Sequence, residues 1–212
     1  MKSKELLWGS VVNPDYELYT PDYIVEAIVD HLLDYQERVG RPITIWCPFS
    51  TNKDIEFNKG TLLKSAYHTV LSKYFNVEVS HILTGQDFFE YEPEEWDIIV
   101  DNPPFQKKAE FFKRALKLDK PFLLLMTMAV FSDRNPLGLF GDYKKDVQVL
   151  KFNKRAKFIK PNGLIDTKIT FSSGYIGHSI LNSGLIVSEL EVPTPAEIKK
   201  YNEEVINTKE VN

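Results

Sequence analysis

The sequence has few of the residues that form disulfide bonds or bind structural metal ions. Its single cysteine, Cys47, excludes an internal disulfide, and its four histidines lack metal-ligand spacing, so we expect no metal site. The longest apolar run, around 121–130, is too short to span a bilayer, and the first residues lack the apolar core of a signal peptide. These absences predict a cytoplasmic protein that does not enter a membrane.

A surplus of positive charge is also missing. The net charge of −4 does not by itself indicate a nucleic-acid-binding protein, because phosphate contacts need clustered lysine and arginine. The charges are unevenly distributed, since residues 147–165 contain no acidic side chain but five basic ones. These five are Lys151, Lys154, Arg155, Lys157 and Lys160. This basic segment suits a solvated surface and a phosphate contact equally well.

What is present is an alternation of strands and helices up to residue 128, followed by strands alone. The predicted helices cover 20–40, with Thr20 as N-cap and Gly40 as the stop, most of 54–75, and 107–118. The predicted strands are 43–46, 76–83, 98–100, 121–128, 156–159, 168–172, 175–181 and 185–190. This order predicts an α/β protein with one domain over 1–192 and an acidic C-terminal helix or tail over 193–212. Its sheet should be mostly parallel and doubly wound, ending in an antiparallel hairpin.

The most informative feature is the motif Asn102-Pro103-Pro104-Phe105, which directly follows the apolar strand Ile98-Ile99-Val100. The two prolines end the strand because they carry no backbone N–H. The carbonyl groups of this turn and the Asn102 amide oxygen can therefore converge beyond the strand end, beside the flat ring of Phe105. Hydrogen-bond acceptors beside a ring predict a site for an amino group on a planar ligand. Strand alternation predicts that Asp101 faces away from this site.

Two other segments follow strands of the predicted sheet. The segment 47–54 comes after the first strand, and 87–89 comes shortly after the second. Ligands of open α/β sheets bind beyond the carboxyl ends of the strands. We therefore expect these segments and the Asn102 motif to meet at one rim.

The motif resembles the (Asp/Asn/Ser)-Pro-Pro-(Tyr/Phe/Trp) signature of S-adenosylmethionine-dependent amino-methyltransferases. The order of segments over about 16–130 is most similar to small adenine-specific DNA enzymes of phages and restriction systems. The resemblance implies a Rossmann-like class I methyltransferase with S-adenosylmethionine as cofactor, DNA as partner and adenine-N6 methylation as activity. It implies a catalytic role for Asn102, Pro103, Pro104 and Phe105, with Phe105 stacking on the target base.

The resemblance also implies cofactor contacts in other segments. Tyr19-Thr20-Pro21 resembles an N-terminal element that holds the methionine part of the cofactor, although Thr20 could equally be a plain N-cap. Asp87-Phe88-Phe89 resembles an element whose acid accepts from the adenine amino group, although Asp87 could equally be a plain turn residue. The turn after Cys47 departs from the family because no glycine follows Pro48. The implied cofactor residues are Tyr19, Thr20, Pro21, Cys47, Pro48, Phe49, Asn52, Asp54, Ser80, Asp87 and Phe88.

For a DNA substrate, the base must be flipped out of the duplex and the backbone must be held. The expected substrate residues are Lys107, Lys108, Lys154, Arg155, Phe171 and Tyr175, of which the last two resemble the family's late aromatic segment that helps to hold the flipped base. Two alternatives remain open at this point. The first is an RNA- or protein-glutamine methyltransferase with the same fold, and the second is a non-catalytic descendant that binds nucleic acid or a protein. A phosphate loop of the Gly-x-x-x-x-Gly-Lys-(Ser/Thr) type is missing, which argues against an unrelated nucleotide-binding protein.

Overall fold

The computed structural model describes residues 18–57, 60–104, 108–132 and 146–210, so the predicted site residues Phe105 and Lys107 lie outside the described residues. The helices are α1 (Asp22–Glu26), α2 (Val29–Val39), α3 (Ala66–Leu71), α4 (Lys108–Lys117) and α5 (Pro195–Glu210). The strands are β1 (Thr44–Cys47), β2 (Ile55–Phe57), β3 (Gly60–Leu62), β4 (Asn76–Val79), β5 (Ile98–Asp101), β6 (Phe122–Thr127), β7 (Gln148–Phe152), β8 (Ser173–His178) and β9 (Leu185–Ser188). None of the described helices is long and apolar enough to cross a membrane.

Within the described residues, seven strands form one sheet in the order β4-β1-β5-β6-β8-β7-β9. The strands β4, β1, β5 and β6 pair in parallel, and β9 is parallel to β7. Strand β8 is inserted between β6 and β7 and runs antiparallel to both. A mostly parallel sheet with this antiparallel insertion near one edge is the Rossmann-like methyltransferase fold. The predicted fold class is therefore confirmed.

Both faces of the sheet are covered, which explains the continuous apolar run in β5. Ile98 and Val100 join the hydrophobic cluster formed with α1, α2 and α3, whereas Ile99 joins the cluster formed with α4. All four residues of β5 are buried. Burial on both faces is typical of strands in the middle of a parallel sheet. It also fixes where β5 ends, which is at the first residue that needs a polar environment.

The first predicted helix is divided in two. Pro21 is the N-cap of α1, with an extended ψ of 156°, and α2 begins at Val29 after a turn. Gly40 ends α2 in the left-handed conformation at φ 75°, as predicted. Thr20 therefore lies one residue before the cap, and the prediction that its side chain caps the helix is wrong. Its hydroxyl is free to contact another element.

Residues 54–75 also differ from the prediction. Instead of a mostly helical segment, they form the antiparallel hairpin of β2 and β3, in which Ile55 pairs with Leu62, followed by the short helix α3. The Asp54 carboxylate closes the base of this hairpin by accepting from the Lys64 backbone N–H at 2.6 Å. Ser65 caps α3 by accepting from the Tyr67 N–H at 3.2 Å. The Asp54 bond to the backbone competes with helix formation, whereas the Ser65 bond fixes where the helix α3 begins.

The C-terminal part contains one strand that the pattern missed. β7 carries polar residues among its apolar ones, so its alternation was hidden within the basic segment 147–165. The segments predicted as strands over 156–159 and 168–172 contain only isolated bridges, at Ile159. Residues 195–210 form a helix, which is one of the two predicted alternatives for the tail. The domain boundary at residue 192 stays a prediction.

Candidate active site

Direct contacts join the predicted segments at the carboxyl ends of the parallel strands. The Asn102 Nδ2 donates to the Thr20 Oγ1 at 3.2 Å, which links the motif after β5 to the N-terminal element. The backbone N–H of Phe49 donates to an Asp101 carboxylate oxygen at 2.7 Å, which links the turn after β1 to β5. The Phe49 ring lies 5.1 Å from the Phe88 ring, centroid to centroid. The segments therefore form one connected cluster at one rim of the sheet.

The Asn102 amide has a fixed orientation in this cluster. One N–H of its Nδ2 donates to the Thr20 hydroxyl, and its Oδ1 is left to accept a hydrogen bond from a ligand. Pro103 is buried and Pro104 is half-buried, and neither can donate through its backbone. The end of β5 thus presents oxygen acceptors with few competing donors. Such a set can bind an amino group.

Asp101 has a larger part in the site than strand alternation suggested. Its side chain is 2% exposed, and its carboxylate accepts from Phe49 N at 2.7 Å, Ser50 Oγ at 3.0 Å and Asn102 N at 2.8 Å. Burial raises the pKa of Asp101 to about 7, and these three hydrogen bonds oppose the rise. A carboxylate at the end of a strand buried on both faces must find donors. That requirement is the signal in the sequence that could have identified it.

The turn after β1 is held by side chains instead of glycine. The hydroxyls of Ser50 and Ser65 lie 2.8 Å apart, and Thr51 Oγ1 donates to the Leu63 carbonyl at 3.2 Å. The backbone N–H of Ser50 also donates to the Ser80 carbonyl at 3.2 Å. The turn is thereby tied to β5, to β4 and to the segment before α3. Its conformation does not depend on a glycine-rich sequence.

Several predicted cofactor residues of this region are occupied by structural contacts. Cys47 is fully buried in the core, where burial raises the pKa of its thiol, and Pro48 is buried beside it. The Ser80 side chain is 2% exposed and accepts from the Trp46 indole N–H at 2.9 Å. Asp54 is exposed and bonds to the Lys64 N–H, whereas Asn52 is exposed. Within this group, Phe49 is partly exposed and Asn52 and Asp54 are exposed, and Asp54 is engaged by the Lys64 N–H.

The two phenylalanines after Asp87 have different environments. Phe88 is 3% exposed and packs against Trp46 and Phe49, so it belongs to the core. Phe89 is half-buried and stacks on Phe111 with the ring centroids 5.1 Å apart. One oxygen of the Asp87 carboxylate accepts from the Phe89 N–H at 3.0 Å, which fixes the carboxylate next to that ring. Phe89 is thus the partly exposed ring of this pair.

The basic residues predicted to hold DNA lie partly beside the site. Lys154 and Arg155 are exposed, and their segment is joined to Tyr19 by two backbone hydrogen bonds with Ile159, of 2.8 and 3.0 Å. Lys160 pairs with Asp166 at 3.3 Å. Lys108, at the start of α4, is half-buried, and burial lowers its pKa to about 7.

The two aromatic residues predicted to hold the base differ in how far they are buried. Phe171 is half-buried, with its ring 5.9 Å from that of Phe158. Tyr175 is 0% exposed, and its hydroxyl contacts the Tyr67 hydroxyl at 3.1 Å and donates to the Ile24 carbonyl at 3.3 Å. The Tyr175 ring therefore packs inside the core and presents no surface to a base.

The groups at this rim are of the kinds that S-adenosylmethionine needs. Asp87 beside Phe89 offers an acceptor and a flat apolar surface for an adenine ring. The Thr20 hydroxyl lies beside Asn102, at the other end of the cluster of contacts. The described residues contain no group of three or more histidine, cysteine, aspartate or glutamate side chains that could hold a metal ion. The Asp87 carboxylate and the Thr20 hydroxyl are themselves polar groups that fit the organic cofactor.

Comparisons with known proteins give a likeness of fold. No protein-family profile matches the sequence, and no curated protein matches it. A solved structure of a proposed class I S-adenosylmethionine-dependent methyltransferase from Listeria monocytogenes is similar, with 13% identity and a TM-score of 0.45 over 92% of this chain and 73% of that one. Another is the methyltransferase subunit of a type I restriction-modification system from Streptococcus thermophilus, with 10% identity and a TM-score of 0.45 over 95% of this chain. This chain covers 56% of that subunit.

Proposed function

We propose that this protein transfers a methyl group from S-adenosylmethionine to the N6 amino group of adenine in DNA, in the cytoplasm. The observation that carries the proposal is the Asn102 amide, whose Nδ2 is held by Thr20 at 3.2 Å while its Oδ1 stays available beyond the end of β5. The carbonyl groups of the two prolines that follow add acceptors without adding donors. An exocyclic amine, with two N–H groups on a planar ring, matches this set of acceptors.

The protein has to orient the target amine and stabilise the charge that develops on it. S-adenosylmethionine, when bound, supplies a methyl group on a positively charged sulfur. The adenine amine is a weak nucleophile because its lone pair is delocalised into the ring. Hydrogen bonds from its N–H groups to Asn102 Oδ1 and to a carbonyl near Pro103 favour a tetrahedral nitrogen and stabilise the positive charge that develops there. Neutral Asn102 orients the amine and does not deprotonate it, so alignment supplies much of the rate. The N–CH3 bond forms as the S–CH3 bond breaks, the sulfur would leave as a neutral thioether, and the methylated nitrogen would release one proton to solvent.

The cofactor roles in this proposal fall on the residues that the rim leaves accessible. Asp87 accepts from the adenine amino group of the cofactor, with Phe89 rather than Phe88 as the stacking surface. Tyr19-Thr20-Pro21 and the turn from Phe49 to Asn52 hold the methionine part. Phe105 keeps the role, predicted from sequence alone, of stacking on the target base.

A nucleic acid is favoured over a protein glutamine by the position of the basic segment. Tyr19 bonds to Ile159 of that segment, and Thr20, the next residue, contacts Asn102. The exposed Lys154 and Arg155 therefore belong to a loop that is anchored beside the site. Clustered cations on a segment that is bonded to Tyr19 suit phosphates on either side of a flipped base. Lys107 and Lys108 complete the proposed backbone contacts, with Phe171 beside the base.

The test is transfer of a labelled methyl group to unmethylated DNA, to RNA and to protein extract in parallel. The wild-type protein should label DNA, and Asn102→Ala should lower the rate by about a hundredfold or more, as expected for loss of an oriented hydrogen-bonding group. Circular dichroism establishes that the variant is folded. Labelling of RNA or protein in place of DNA, or unchanged transfer by folded Asn102→Ala, would contradict the proposal.

A further inference from the structure

Two carboxylates, one at each end of β5, bind the backbone of β1 or of the turn that follows it. Asp97, before the strand, accepts from the Thr44 N–H at 2.8 Å and pairs with Arg41 at 2.5 Å. Asp101, the last residue of the strand, accepts from the Phe49 N–H at 2.7 Å. The two aspartates thus hold the same pair of strands, but only Asp101 does so at the rim that carries the candidate site.

Asp101 bonds to both halves of that site at once. One half is the turn after β1, through Phe49 N and Ser50 Oγ, and the other is the motif after β5, through Asn102 N at 2.8 Å. The Ser50 hydroxyl extends the contact to Ser65, the N-cap of α3. A shift in this one carboxylate would therefore change the turn and Asn102 together. Reactions between two bound groups depend steeply on such separations.

We propose that Asp101 is a positioning residue that fixes the cofactor-binding turn and Asn102 relative to each other. This inference rests on the proposed function, because it assigns the turn to the methyl donor and Asn102 to the target amine. It also accounts for the missing glycines after Cys47. A carboxylate from the neighbouring strand sets the conformation of the turn that a glycine-rich sequence would otherwise allow.

The charge of Asp101 gives this role a pH dependence. The titratable groups that interact with it are Cys47, Tyr67 and Tyr175, and the pKa of each is raised, mainly by burial. All three are neutral near pH 7, so hydrogen bonds alone support the carboxylate. Because burial raises the pKa of Asp101 to about 7, the carboxylate is ionised and accepts fully at pH 8, and it becomes protonated as the pH falls through 7. Hydrogen bonds to the ionised form are stronger than those to the neutral acid.

The experiment measures S-adenosylmethionine binding by calorimetry at pH 8 and pH 6, together with hydrogen exchange of the Phe49 and Asn102 backbone amides. Asp101→Asn should bind about tenfold more weakly at pH 8 and exchange both amides faster, because an amide replaces one acceptor with a donor. Wild-type affinity should fall from pH 8 to pH 6, whereas that of Asp101→Asn should stay constant. Ser50→Ala should weaken binding less than Asp101→Asn does, because it removes only one of the three donors to the carboxylate. Asp97→Asn, the matched control at the other end of β5, should keep wild-type affinity.

The outcomes separate the two proposals. Equal affinity of wild type and Asp101→Asn, or an equal loss in Asp97→Asn, would overturn the positioning role alone. If Asp101→Asn does not fold, the S-adenosylmethionine affinity of Ser50→Ala is the test. Wild-type affinity in Ser50→Ala would overturn the positioning role of Asp101. Absence of binding heat in wild type would overturn the proposed function, and the positioning role with it.

Discussion

At the scale of single residues, the site depends on which partner each polar side chain takes. The hydroxyl of Thr20, expected from the sequence to cap a helix, instead accepts from Asn102. The carboxylate of Asp101, expected to face away from the site, bonds to both sides of it. Residue types and spacing predicted where these groups lie along the chain. They could not predict hydrogen bonds between segments that are far apart in sequence.

The bond between Thr20 and Asn102 can be tested by an isosteric change. Thr20→Val keeps the side-chain volume but removes the acceptor, so Asn102 can rotate its amide and present Nδ2 in place of Oδ1. We expect kcat to fall about tenfold, which is the worth of one hydrogen bond to a group involved in the reaction. Thr20→Ser retains the hydroxyl and should retain most of the activity. Steady-state kinetics in which Thr20→Val matches Thr20→Ser would show that the hydroxyl does not orient Asn102.

Tyr175 offers a test of the opposite kind. Its hydroxyl bridges the Tyr67 hydroxyl and the Ile24 carbonyl inside the core. Tyr175→Phe should therefore lower the free energy of unfolding by about 1–2 kcal/mol, measured by denaturant titration, and leave methyl transfer nearly unchanged. A folded Tyr175→Phe with normal stability and much reduced transfer would restore the sequence-based view that Tyr175 binds substrate.

At the scale of elements, the apolar segments were the ones whose secondary structure the sequence predicted most accurately. The strands β5 and β6 and the helix α4 were predicted to within one or two residues, because burial makes their patterns continuous or regularly spaced. The hairpin of β2 and β3 was missed because each strand has three residues, too few for an alternation to stand out. β7 was hidden by the lysine and glutamine within it. Short strands with mixed composition are fixed by tertiary contacts.

The basic segment is the element whose role can be tested by charge reversal. The double change Lys154→Glu and Arg155→Glu should weaken DNA binding and reduce the slope of log K against log salt, because fewer counterions are released. The double change Lys199→Glu and Lys200→Glu on α5 alters the net charge equally at exposed positions and serves as the control. DNA binding is measured by fluorescence anisotropy over a range of salt concentrations. If the two double variants weaken binding equally, the segment makes no specific phosphate contact.

At the scale of the whole molecule, the sheet order explains why distant segments form one site. The strands β1 and β5 are neighbours and parallel, so their carboxyl ends place the turn from Phe49 and the motif from Asn102 side by side. The expectation that these segments meet follows from strand order alone and was therefore available from the sequence. The accessibility of each side chain was not available, because it depends on packing. Burial of Phe88 and Tyr175 and partial exposure of Phe89 are examples.

The most direct test of the account identifies the methylated nucleoside. Unmethylated DNA is incubated with the wild-type protein and labelled S-adenosylmethionine, digested to nucleosides and separated by liquid chromatography with mass spectrometry. The account predicts that the label is found in N6-methyldeoxyadenosine, and that Asn102→Ala yields almost none. Label in a methylated cytosine, or no labelled nucleoside from a wild-type protein that binds S-adenosylmethionine, would contradict it.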